Sequence, residues 1–111
     1  MTRVRFLPLA EIELAHEATH YSLSDGRVGQ RFLSAVERVV RQVEMFPRSG
    51  TPLLDQSRAV VIRGFPASVI YRVDTEGILI VAIAAHARRP GYWQSRVNDG
   101  PGVAYPVRQS A

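Results

Sequence analysis

Five residues with chemical potential crowd into one short stretch: His86, Arg88, Arg89, Tyr92 and Trp93, within HARRPGYW. A histidine or a tyrosine can move a proton, and paired guanidiniums can hold a charged transition state. Together these are the groups that metal-free RNA cleavage requires. The same cluster has a second reading as a contact surface. Arginine forks suit phosphate or carboxylate, and large aromatics anchor protein interfaces. A third reading is architectural: His86 ends a strand, the arginines pair with acids of a neighbouring loop, and Trp93 folds back to close the core. Arg63 and Arg72 lie upstream at strand ends beside turns, as candidate contacts for a polyanion or as a solvated strand face. His16 and His20 are four apart in a helical stretch, a spacing that can hold a metal. No third ligand accompanies them, so no metal site and no cofactor are expected.

The cluster needs a platform, and the run before it supplies one. AVVIR, SVIYRV and ILIVAIAA (59–63, 68–73 and 78–85) are rich in β-branched residues and punctuated by Gly64/Pro66 and Asp74/Gly77, as a meander of antiparallel strands requires. The last of them is apolar on both alternating faces, which places it inside the sheet. Upstream, residues 2–6 alternate Arg3 and Arg5 with Val4 and Phe6, the pattern of a half-buried edge strand with its arginines in water.

Two helices lie between. Pro8 fits a first helical turn, Glu11 and Glu13 suit the positive end of a helix dipole, and Leu14, Ala15, Ala18 and Tyr21 share one face of a helix running to about Leu23. Within SDGRVG, Gly26 can take a left-handed cap, and Ser24 or Asp25 can cap the next helix. Phe32, Val36, Val39, Val40, Val43 and Phe46 then form the strongest periodic stripe in the chain, opposite Arg31, Glu37, Arg38, Arg41 and Glu44. Glu37 and Arg41 stand in the favourable order for a helical pair, a gain of ~0.3 kcal/mol. A short link makes the helices an antiparallel hairpin whose stripes need a sheet to cover.

FPRSGTP breaks the second helix, and QSRV adds a helical turn after Trp93. The expected fold is therefore α+β, in the order β-α-α-β-β-β, with the hairpin on one face of a small antiparallel sheet. Residues 1–97 form one domain, and 98–111, rich in Gly, Pro and small polar residues, read as a flexible tail.

Composition narrows the function classes. The chain has 111 residues, 46% of them hydrophobic and 22% charged, as in an ordinary globule with one core. Without cysteine there are no disulfides, thiolate chemistry or Cys-ligated zinc. No apolar run reaches the ~20 residues of a membrane span, and a signal-peptide core is missing, so a cytoplasmic protein without membrane contact is expected. The net charge is +4, and all 14 basic side chains other than histidine are arginine, a balance that suits a polyanion or an acidic protein.

With these pieces in order, the chain resembles the toxin superfamily of bacterial type II toxin-antitoxin modules that includes ParE and RelE. The resemblance covers roughly residues 3–97 and rests on VERVVRQVEMFPRSGTPL, then VIRGFPASVIYRVDTEGILIVAIAAHARRP with its aromatic sequel GYW. It implies a RelE/ParE-like fold and a small, acidic antitoxin partner that wraps the toxin and often binds its own operator. The branches differ in action. ParE-like members, in modules of the plasmid stabilisation type, bind and poison DNA gyrase. RelE-like members cleave mRNA on the ribosome, which would make His86, Arg88, Arg89 and Tyr92 catalytic. The RelE pattern has an arginine where this chain has Ser68, and lysines that are missing here. Arg88 or Arg89 and Tyr92 do match, and the HARRPGYW ending with its long hairpin is closer to ParE. The resemblance thus implies a non-enzymatic gyrase-binding toxin without a small-molecule substrate. Arg63, Arg72, His86, Arg88, Arg89, Tyr92 and Trp93 are its expected target- or partner-binding residues. An endoribonuclease and a non-toxic antitoxin-binding homologue are the alternatives.

Overall fold

The computed structural model describes residues 3–98, so the expected tail falls almost wholly outside them. The elements are β1 (Arg3–Phe6), α1 (Pro8–Ser24), α2 (Gly26–Met45), β2 (Thr51–Pro52), β3 (Ser57–Val61), β4 (Ala67–Asp74), β5 (Gly77–Ala85) and α3 (Ser95–Asn98), with a short 3₁₀ turn at Leu54–Gln56. This is the expected α+β order with a minimal fifth strand, β2, added before the meander. The sheet runs β1-β5-β4-β3-β2.

The meander β3–β4–β5 is antiparallel, but the sheet as a whole is mixed, because β1 pairs parallel with β5. The reason is the hairpin. Two antiparallel helices return the chain near its starting end, and three antiparallel strands then bring β5 up alongside β1. β5 lies between β1 and β4, and Ile78, Ile80, Val81, Ala82 and Ile83 are buried, as its doubly apolar pattern requires.

α1 opens on Pro8 without a side-chain cap and carries Glu11 in its first turn. The link to α2 is tighter than expected. Gly26 is not a left-handed cap but the first residue of α2, and Asp25, in extended backbone, caps it by accepting from the Arg27 amide at 2.9 Å. Arg27 also holds the Asp25 carboxyl below its usual value, through its side-chain bond first and its amide second. The hairpin closes at Gly29, where a Cβ would stand 2.9 Å from the Ala18 carbonyl oxygen.

The α2 stripe packs as its period predicts through Phe32, Val36, Val39 and Val43. Phe46 does not join it, because the helix ends at Met45 and the Phe46 ring is exposed. On α1, Ala10 is buried while Ala15 faces solvent, so the covered stripe runs through Ala10, Leu14, Ala18 and Tyr21. Tyr71 ties the loop after α2 to the sheet: its buried phenol donates to the Pro47 carbonyl at 2.7 Å and accepts from the Gly50 amide at 3.0 Å.

The two arginines of β1 part company. Arg3 is exposed, whereas one Nη of Arg5 reaches both Asp74 oxygens at 2.7 Å and Glu76 sits 3.4 Å from the other. Desolvation alone would raise the Asp74 carboxyl. The bonds from Arg5 and from the Glu76 and Gly77 amides outweigh it and hold the group below its usual value. This clamp joins β1 to the β4–β5 turn. Among the described residues no helix is long and apolar enough to cross a membrane.

Candidate functional site

A gap in the sheet organises the site. β1 follows β5 only as far as Phe6 opposite Ile80, where Leu7 donates to the Ile80 carbonyl and the chain turns off into α1. Beyond that point the outer edge of β5 has lost its neighbour. Buried backbone groups must find partners, and two side chains provide them. Glu13 of α1 accepts from the Ile83 amide at 3.1 Å, and Arg96 of α3 donates to the Val81 carbonyl at 3.0 Å.

Those two side chains grip each other as well. Both Nη atoms of Arg96 meet the Glu13 carboxylate, at 2.8 and 2.9 Å, and both side chains are about 90% buried, 11% and 12% exposed. Bidentate pairs of this kind are the strong ones. Tyr92 adds its hydroxyl, donating to Glu13 at 2.5 Å, and Arg88 stands 3.5 Å from the same carboxylate. The Arg88 guanidinium also stacks on the Tyr92 ring, 3.8 Å from its centroid. Burial, followed by the Glu13 bond and charge, pushes the Tyr92 phenol well above the usual tyrosine value, against the opposing charges of Arg96 and Arg88.

The structure therefore sorts the expected site residues into separate places. Tyr92 turns inward onto Glu13, a helix acid rather than an acid of a neighbouring loop, and Arg88, about half exposed, lies over its ring within 3.5 Å of the same carboxylate. His86 ends β5 as expected, its amide donating to the Pro66 carbonyl, while its Nε2 lies 2.8 Å from the Ser68 hydroxyl. Trp93 is buried and closes the core. Arg89 is exposed. Arg72 is partly covered and reaches toward the Val97 carbonyl at 3.5 Å, and Arg63 stands in the β3–β4 turn beside α2. His16 and His20 are exposed, and no group of three or more His, Asp or Glu among the described residues could hold a metal.

Sequence reasoning missed Glu13 and Arg96 as the hub. A signal for Glu13 was present: it lies at offset three from Ala10 and one residue before Leu14, an acid set into the covered stripe of α1. Arg96 carried no comparable signal, since a four-residue helix has no periodicity. Arg31 and Arg38, read only as the solvated side of α2, also proved to line a concave surface together with Arg63.

Chemically, the Tyr92 hydroxyl is poorly placed for proton transfer. The Tyr92 proton points at a buried carboxylate, and Arg88 is engaged by that carboxylate and the ring beneath it. Arg63, His86 and Arg89 are the exposed side chains of the expected set at this end of the sheet besides Arg88.

Residues 4–90 match the family model described as the ParE toxin of the type II toxin-antitoxin system, parDE. Among solved structures, a chain of the chromosomal ParDE TA system from P. aeruginosa superposes with a TM-score of 0.59 at 24% identity, covering 77% of this chain and 96% of that one. That likeness is one of fold. No curated protein matches the sequence.

Proposed function

This chain belongs to the ParE toxin family of type II toxin-antitoxin systems, and on that premise we propose that it is a non-enzymatic toxin that inhibits DNA gyrase by binding it. A cognate antitoxin neutralises it, in a module of the plasmid stabilisation type. The observation that carries the non-enzymatic reading is the hydrogen bond by which Glu13 holds the Tyr92 hydroxyl. An endoribonuclease of the RelE kind would need the Tyr92 hydroxyl directed at RNA, and here it is bonded to the Glu13 carboxylate. Ser68, where the RelE pattern has an arginine, is buried against His86 and adds no cation.

An antitoxin has a surface that fits it. A hollow of about 500 Å³ runs along the other flank of α2, lined by Phe6, Leu14, Leu33, Val36 and Val40 and edged by Glu37, Arg41 and Glu44. An apolar trough with a charged rim suits an amphipathic segment that orders as it binds.

Pulse-labelling of DNA, RNA and protein synthesis after induction without antitoxin tests the reading. Early loss of DNA synthesis while translation continues, with purified chain blocking gyrase supercoiling, is the expected result. Protein synthesis failing first, with new mRNA ends at codon boundaries, would overturn it in favour of the ribosome. Harmless expression would leave only an antitoxin-binding homologue.

A further inference from the structure

Arg31 and Arg38 of α2 face Arg63 of the β3–β4 turn across an open trough of about 750 Å³, whose apolar floor includes Tyr21 and Phe65. Past Arg38 and Arg63 the trough continues into a second hollow of about 410 Å³ that reaches Gln42. Every charged residue lining either hollow is an arginine. All three guanidiniums are on exposed residues, and among the described residues none of them forms a hydrogen bond or an ion pair. The charge of Arg31 is felt at Asp25, but that carboxylate is bonded to Arg27. Like charges gathered without a counter-charge repel one another, and a bound anion relieves that repulsion.

Two features select among anions. Several backbone groups beside the trough are used within the turn itself: the Ile62 amide donates to the Ala67 carbonyl, the Phe65 amide to that of Ile62, and the Ala67 amide to that of Phe65. With those amides engaged, the contacts left to an anion are the arginine forks, which match oxyanions set apart along a rod. Arg31 and Arg38 are seven residues apart, about 10.5 Å along the helix. Three phosphate steps of a duplex strand advance by about 10.2 Å along its axis, so the two arginines match the first and fourth of four successive phosphates.

We propose that this trough is a backbone-binding site for double-stranded DNA, with Arg31, Arg38 and Arg63 each engaging a phosphate. It is sequence-independent, because no base edge is read. It stands apart from the gyrase reading, since it needs only the toxin and a duplex.

Fluorescence anisotropy of a labelled mixed-sequence duplex with the purified full chain tests it. Three phosphate contacts predict a log–log salt slope of about −2.7, and so roughly 40-fold weaker binding at 200 mM than at 50 mM salt. Arg38→Ala or Arg63→Ala should each reduce the slope by about 0.9, leaving roughly a 12-fold fall. Arg3→Ala removes the same charge at the opposite end of the sheet and should leave the slope unchanged. Circular dichroism confirms that each variant is folded. Failure to bind at 50 mM salt, or equal slopes for the Arg38, Arg63 and Arg3 variants, would overturn the proposal. So would a glutamate-rich peptide that binds through Arg38 while the duplex does not.

Discussion

Glu13 is the residue on which the working end of the sheet depends, because one carboxylate serves the Ile83 amide, the Tyr92 hydroxyl and two arginines. Replacing it by alanine leaves the Arg96 guanidinium buried without its partner and the Ile83 amide unpaired. Loss of one member of a buried pair costs about 3 kcal/mol or more, so Glu13→Ala should show that loss in urea unfolding. Tyr92→Phe keeps the ring beneath Arg88 and removes one charge-assisted bond, a loss of about 1.5–3 kcal/mol. The phenol also predicts a pH dependence. Its folded-state pKa is raised, so above the ordinary tyrosine value of about 10 the unfolded chain releases this proton first. The folded state then binds more protons than the unfolded state, and stability, fully present below pH about 10, falls as pH climbs past it. Tyr92→Phe should lose less stability than the parent chain between pH about 9.5 and 11.5. The raised Tyr21 contributes to both proteins and cancels. An identical decline in the two would show that the Tyr92–Glu13 bond does not form in solution.

At the level of elements, the parallel seating of β1 rests on Gly77. Its φ of +130° is one that side chains rarely adopt, and a Cβ would stand 2.3 Å from the Arg3 carbonyl oxygen. Gly77→Ala combines backbone strain with that collision, and should destabilise by about 3 kcal/mol. Hydrogen exchange should accelerate in β1 before it does in β3 and β4. Uniform acceleration across the sheet would show that β1 is no separable unit. The pairing was only half legible in the sequence. Hydrophobic period revealed β3, β4, β5 and the two helices, since each buries a face set by its own residues. The direction of β1 depends on where the hairpin returns the chain, which no local pattern encodes. The same holds for the site. HARRPGYW was visible as a cluster, and Trp93 and His86 took the architectural places their types suggested. That the Tyr92 hydroxyl faces inward follows from the gap beyond Phe6, a tertiary feature that an acid on a covered helical stripe only hinted at.

Across the whole molecule, α2 divides the surface. Its buried residues Phe32, Val36, Val39 and Val43 define the direction of the core. At about 100° per residue, Arg31 and Arg38 fall on one flank, within about 20° of each other, and Leu33 and Val40 fall on the other, roughly 140–180° away. One helix thus presents a cationic trough on one side and an apolar groove on the other, with the core between them. Sites without shared partners behave additively, so the two activities proposed for these flanks should separate by mutation. Leu33→Asp places a charge in the groove and should weaken antitoxin binding by at least about 100-fold, the effect of roughly 3 kcal/mol, while duplex binding keeps its salt slope. Arg38→Ala should do the reverse, lowering the slope and leaving antitoxin affinity within about twofold. Calorimetric titration with antitoxin and anisotropy with DNA, run on the same two proteins, measure both. If either variant impairs both activities equally, the antitoxin spans the whole of α2, and the trough and the groove are one surface.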